Sequence, residues 1–120
     1  FNSGKLKANV EVERARTEQL LLNYEATVQQ AFREVEDALV AVRTLRDEHA
    51  AQTRRVAAAR NAARLSQARY DGGVVDYLEV LDSERTRFSA ELDESETLQA
   101  YLNAIVSLYK ALGGGWDPET

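Results

Sequence analysis

The sequence predicts an all-α fold: a long antiparallel helical hairpin of the coiled-coil kind. Three observations predict it. No Gly or Pro interrupts the chain between Lys5 and Tyr70. Apolar and small residues recur there with a seven-residue period. On either side of Asp71-Gly72-Gly73 the charge reverses sign, as two arms folded onto each other would require.

The first helix is expected over residues 5–70, roughly 100 Å of α-helix at 1.5 Å per residue. One series of positions reads Leu21, Val28, Val35, Val42, His49, Val56, Ala63, Tyr70, and the interleaved series reads Tyr24, Ala31, Ala38, Leu45, Gln52, Ala59, Ser66. Alternating steps of three and four sustained over several heptads define a coiled-coil seam. Phe32 and Leu39 widen the stripe, which suits a helix with more than one neighbour. A reversal is expected at residues 71–75, where Gly72 and Gly73 supply positive-φ positions. Asp76 is placed to cap the next helix, with Glu79 three residues on as in a capping box. That helix is expected over 76–112, with Leu78, Leu81, Phe88, Leu92, Leu102, Val106 and Tyr109 as its apolar stripe. Gly113-Gly114-Gly115 stops it, and 113–120 reads as a non-helical tail.

From Arg43 to Arg69 seven arginines face two acids, a net of +5; from Asp71 to Glu96 nine acids face two arginines, a net of −7. Folding at Gly72-Gly73 sets one against the other and pairs Leu65 with Leu81, Ala59 with Phe88, Leu45 with Leu102, Leu39 with Leu108 and Val35 with Leu112. Each exposed ion pair contributes only about 0–1 kcal/mol, so charge selects the pairing and the apolar seam stabilises it. The second helix runs out near Leu112, which leaves Leu20, Leu21, Leu22, Tyr24, Val28 and Phe32 without a partner in this chain. Such a face marks an interaction surface, and the excised hairpin is expected to self-associate.

Composition bounds the function. The 120 residues hold no Cys, so disulfides, thiolate metal sites and Cys nucleophiles are excluded. Phe1 rather than Met at the start suggests a segment of a longer protein, and no signal peptide is visible. No apolar run reaches the roughly 20 residues of a membrane-spanning helix. A net charge of −5 opposes nucleic-acid binding. The lone His49 lies on the seam and reads as structural. Glu34, Glu36 and Asp37 diverge around a helix and lack a Glu-x-x-His partner, so no metal site is expected. Gly72-Gly73 is too short to cradle phosphate. No nucleophile–base or acid pair emerges, and neither an enzyme nor a cofactor is expected.

Four segments, in order, resemble the TolC/NodT-type outer-membrane factor (outer membrane efflux protein) family. Phe1-Asn2-Ser3-Gly4-Lys5-Leu6 is similar to the segment leaving the membrane β-barrel. Ala31-Phe32-Arg33-Glu34-Val35-Glu36-Asp37-Ala38-Leu39 is similar to the mid-helix signature. Arg69-Tyr70-Asp71-Gly72-Gly73 with Tyr77-Leu78-Glu79-Val80-Leu81-Asp82 resembles the periplasmic tip. Leu108-Tyr109-Lys110-Ala111-Leu112-Gly113-Gly114-Gly115-Trp116 is similar to the ending of members serving resistance-nodulation-division pumps.

The resemblance implies a homotrimer whose membrane β-barrel continues into a periplasmic α-barrel, of which this chain is the C-terminal helical hairpin. Residues 1–4 would be the linker from the β-barrel. The tip, at Tyr70, Asp71, Gly72, Gly73 and Val74, would meet a periplasmic adaptor (membrane-fusion) protein and, through it, an inner-membrane pump. Leu78, Glu79 and Asp82 would stand at the pore constriction. At Val75 this chain departs from the family's type member, which carries an arginine there that helps hold the tip shut. The resemblance therefore implies a conduit in a bacterial outer-membrane protein, passing drugs, metal ions or other solutes. The competing reading is a structural coiled-coil spacer or the hairpin of an adaptor.

Overall fold

A computed structural model describes residues 2–114, with side chains from Gly4 onward. Two helices account for nearly all of it: α1, Asn2–Asp71, and α2, Tyr77–Ala111. The chain divides into two compact units, residues 1–37 and 38–120. The first is helical from Asn2, so positions 2–4 of the expected linker belong to α1. The cost of a helical glycine at Gly4, about 1 kcal/mol, does not stop a helix that no proline interrupts. Leu20, Leu21, Leu22, Tyr24 and Phe32 are all exposed. Leu112, expected in the return helix, forms a turn with Gly113, the first residue of the expected tail 113–120; residues 115–120, including Trp116 and Pro118, lie outside the described residues.

The second unit is an antiparallel hairpin. On the α1 side the expected heptad positions face inward: Val56, Ala59, Ala63 and Ser66 are buried, and Ala38, Val42, Leu45, His49 and Gln52 are half-buried. On the α2 side the buried residues are Val80, Ala90, Thr97 and Ala104. Val56, Ala59 and Ala90 form the centre of this seam.

The register follows the charge pattern, but the face of α2 does not follow the apolar stripe. Arg55 bonds Asp93, Arg60 Nε lies 2.8 Å from Glu91, and Thr53 Oγ1 donates to Glu94 at 2.8 Å. The His49 and Tyr101 rings stack at 6.5 Å between centroids, 14° between planes. Yet Leu65 and Leu81 are each 53% exposed and Phe88 is 68% exposed, and Leu39 and Leu102 also face outward. The expected contacts of Leu65 with Leu81, Ala59 with Phe88 and Leu45 with Leu102 therefore do not form the seam. The physical reason is that α2 carries two rows with the same seven-residue period. The row of small residues meets α1, where ion pairs can close on both flanks, and the row of large residues points away. No large side chain is fully buried among the described residues.

The helix ends are built by backbone chemistry. At α2's C-terminus Gly113 takes φ +82°, and its N–H donates to the Lys110 carbonyl at 3.0 Å while the Gly114 N–H donates to the Tyr109 carbonyl at 2.9 Å. This is a Schellman arrangement, which satisfies carbonyls that a helix end leaves unpaired.

Candidate functional site at the hairpin tip

The tip is a second copy of that chemistry. Gly73 takes φ +70°, its N–H donates to the Tyr70 carbonyl at 2.8 Å, and the Val74 N–H donates to the Arg69 carbonyl at 2.8 Å. A side chain at such a φ is strained, whereas glycine is not. The turn thus gathers Tyr70, Asp71, Gly72, Gly73 and Val74 into one tight reversal, with Asp71 accepting a bond from Gln67 Nε2 at 2.8 Å. Val74 is 70% exposed at its apex.

Asp76 sits at the N-cap of α2 with extended backbone angles, but its side chain makes no capping bond. The Glu79 N–H instead donates to the Asp76 carbonyl at 3.1 Å. The expected capping box does not form, because the Glu79 carboxylate is taken by another partner. Arg69 Nη1 donates to Glu79 Oε1 at 2.8 Å, across the reversal. Tyr70 and Tyr77 close over the same turn with ring centroids 5.2 Å apart and planes tilted by 57°. Where the family's type member has an arginine, Val75 is half-buried, and the tip's charge contact comes from Arg69 and Glu79.

The three expected constriction residues differ in their surroundings. Leu78 is 74% exposed. Glu79 is neutralised by Arg69. Asp82, one turn further on, is exposed and has no ion-pair partner among the described residues; its backbone carbonyl accepts from Thr86 Oγ1 at 2.9 Å. Leu78 and Asp82 are four residues apart and share one side of α2.

Two grooves flank the seam above the tip. One, of about 360 Å³, runs past Ala62, Ser66, Arg69, Glu79 and Asp82; the other, of about 540 Å³, runs past Arg60, Arg64, Gln67, Glu84 and Arg87. Ser66 is buried and its Oγ has no hydrogen-bond partner. Beside Arg60, Glu91 is held below the ordinary carboxylate range by the Arg60 hydrogen bond above all, with help from the charges of Arg60 and Arg87 and against some desolvation. The sequence places Arg69 and Tyr77 in the tip motif and Ser66 on the seam, without assigning any of them a contact. The signal for Arg69 was available: ten residues before Glu79, with Val74 midway between them, it lies opposite that acid in the register the charges select. No cluster of three or more His, Asp or Glu among the described residues could hold a metal ion, and no described helix is long and apolar enough to cross a membrane.

The second unit is thus a helical hairpin with a narrow inner seam, an apolar outer row and a sharply capped tip. The comparisons with known proteins identify its family. The profile of the Outer membrane efflux protein family matches residues 1–114. The chain is 40% identical over 117 residues to the cation efflux system protein CusC of Escherichia coli O157:H7, covering 98% of this chain and 25% of that one. It is 40% identical over 117 residues to the outer membrane protein OprJ of Pseudomonas aeruginosa, covering 98% and 24%. Among solved structures, a membrane protein from Pseudomonas aeruginosa superposes with a TM-score of 0.80 at 40% identity, covering 97% of this chain and 26% of that one. CusC superposes with a TM-score of 0.80 at 40% identity, covering 96% and 27%. The chain belongs to the outer membrane efflux protein family, as part of an outer-membrane protein, and it is not an enzyme. It spans about a quarter of the length of these relatives.

Proposed function

We propose that this chain is the periplasmic portion of a trimeric outer-membrane efflux duct, serving a tripartite pump of the resistance-nodulation-division class. The observation that carries the reading is the second apolar row of α2. Leu78, Leu81, Phe88, Leu92 and Leu102 are exposed along the side turned away from the seam. A helix with two apolar rows requires two helical neighbours, and a closed ring of helices around a duct supplies both without leaving an edge. Family membership points the same way.

In this reading the tip residues Tyr70, Asp71, Gly72, Gly73 and Val74 dock a periplasmic adaptor, and Leu78 with Asp82 narrows the entrance. Three copies of Asp82 form an acidic ring that favours cations over anions. Glu79 contributes less charge, because Arg69 neutralises it within the same hairpin. Opening is a shift between two packings of neighbouring hairpins, with no bond made or broken. The solvent efflux pump outer membrane protein SrpC of Pseudomonas putida is 41% identical to this chain, and the cation efflux protein CusC is 40% identical. Relatives named for such different solutes are about equally similar to this segment, which fits a conduit whose selection goes no further than the sign of charge.

The test is single-channel conductance of the full-length parent in planar bilayers, wild type against Asp82→Asn. A cation-preferring conductance whose preference falls in the variant supports the duct and its acidic constriction. A conductance unaffected by the variant removes Asp82 from the constriction. A parent that conducts in no state, with or without its adaptor, rejects the duct.

A further inference from the structure

The burial pattern of α2 supplies an angular frame. Val80, Arg87, Glu94, Tyr101 and Leu108 on one row are buried or half-buried, and so are Ser83, Ala90, Thr97, Ala104 and Ala111 on the next. The seven-residue period therefore holds relative to α1 along the whole helix, and residues seven or fourteen apart keep the same angle to the seam.

Asp82, Ser89 and Glu96 stand on one such row, outside the seam, and all three are exposed. The row beside it, Glu79, Thr86 and Asp93, is polar as well. The opposite flank of α2 carries Leu81, Phe88 and Leu102. The outward surface of the helix is thus divided into an apolar flank, which must be covered, and a polar flank, which suits water. Along the polar flank two of the four acids are offset. Glu79 is paired with Arg69 and Asp93 with Arg55. Among the described residues neither Asp82 nor Glu96 has an ion-pair partner. Asp82 has Arg85 three residues on, close enough to screen part of its charge. Glu96 has no cation three or four residues away in either direction; its neighbours there are Leu92, Asp93, Gln99 and Ala100.

We propose that Glu96 is a second selectivity-determining position, facing the same aqueous lumen as Asp82 about 21 Å further along α2. The inference rests on the reading that Asp82 lines the duct. It adds that the cation preference comes from two separated acidic levels, the upper one less screened than the lower.

The experiment measures reversal potential under a salt gradient for the parent channel in planar bilayers, with Asp82→Asn and Glu96→Gln made separately. Both substitutions are expected to shift the reversal potential toward lower cation preference. In a parent background without other cysteines, Glu96→Cys is expected to show the same shift. An anionic methanethiosulfonate added to the lumen should reverse it, whereas a neutral one should not. That rescue separates lost charge from damaged folding. If Asp82→Asn shifts the potential while Glu96→Gln and the labelled Glu96→Cys do not, the second level is overturned and the duct reading stands. If none of the variants shifts it, the duct-lining assignment of Asp82 falls as well.

Discussion

Val80, Ala90, Thr97 and Ala104 line one side of α2 and are buried, whereas Leu78, Leu81, Phe88 and Leu92 line another and are exposed. By hydrophobicity alone the second set is the better core. It is excluded because the hairpin's partner, α1, offers a small-residue seam of Val56, Ala59, Ala63 and Ser66, flanked by arginines. Small residues leave room for the flanking side chains to meet, so Arg55 reaches Asp93, Arg60 reaches Glu91 and Arg69 reaches Glu79. The difference teaches that one helix can hold two apolar rows with separate duties. The narrow row joins the hairpin, and the broad row stays exposed, which the proposed duct would cover with neighbouring helices.

Substitutions on the two rows should differ sharply in effect. Ala90, fully buried, has no room for a larger side chain. Ala90→Leu is expected to destabilise the hairpin by about 1–3 kcal/mol through overpacking, read as a lower midpoint in chemical denaturation followed by circular dichroism. Phe88→Ser, two residues away on the exposed row, is expected to stay within about 0.5 kcal/mol in the same measurement. Equal losses from the two would mean that the rows do not differ as described.

At the tip, Gly73→Ala places a Cβ on a residue at φ +70° and is expected to cost about 1–2 kcal/mol. Gly72→Ala, where no positive φ is required, should cost less, and similar costs would remove the special standing of Gly73. Within the seam, Ser66→Ala removes a buried hydroxyl that has no partner. It is expected to leave stability unchanged or raise it by up to about 1 kcal/mol. A clear loss would show that the hydroxyl bonds back to its own helix.

The smallest effect concerns acid. Arg60 holds the Glu91 carboxyl below its ordinary range, chiefly by hydrogen bonding. A carboxyl depressed in the folded state contributes stability that is present above the unfolded carboxylate range and is lost as pH falls through the folded value. Stability should therefore decline on acidification, and Glu91→Gln should flatten that decline slightly. Both effects should shrink at high salt, since the pair is solvent-exposed. A titration of the denaturation midpoint in the wild type and in Glu91→Gln reads the difference directly.

Much of this protein is determined by the order of its residues. Uninterrupted helix, the heptads of α1, the reversal at Gly72-Gly73 and the pairing of a basic arm with an acidic one follow from local propensity, period and charge, which act along the chain. The tip residues were legible because glycine pairs and helix ends obey short-range rules. The face of α2 was not. Its two rows share one period, and periodicity measures how often apolar residues recur, not which neighbour they meet. Nor could the sequence tell that Asp82 and Glu96 would be left without an ion-pair partner among the described residues. Those outcomes depend on where a second helix lies, and that is set by how the small seam closes and which charges it brings within reach.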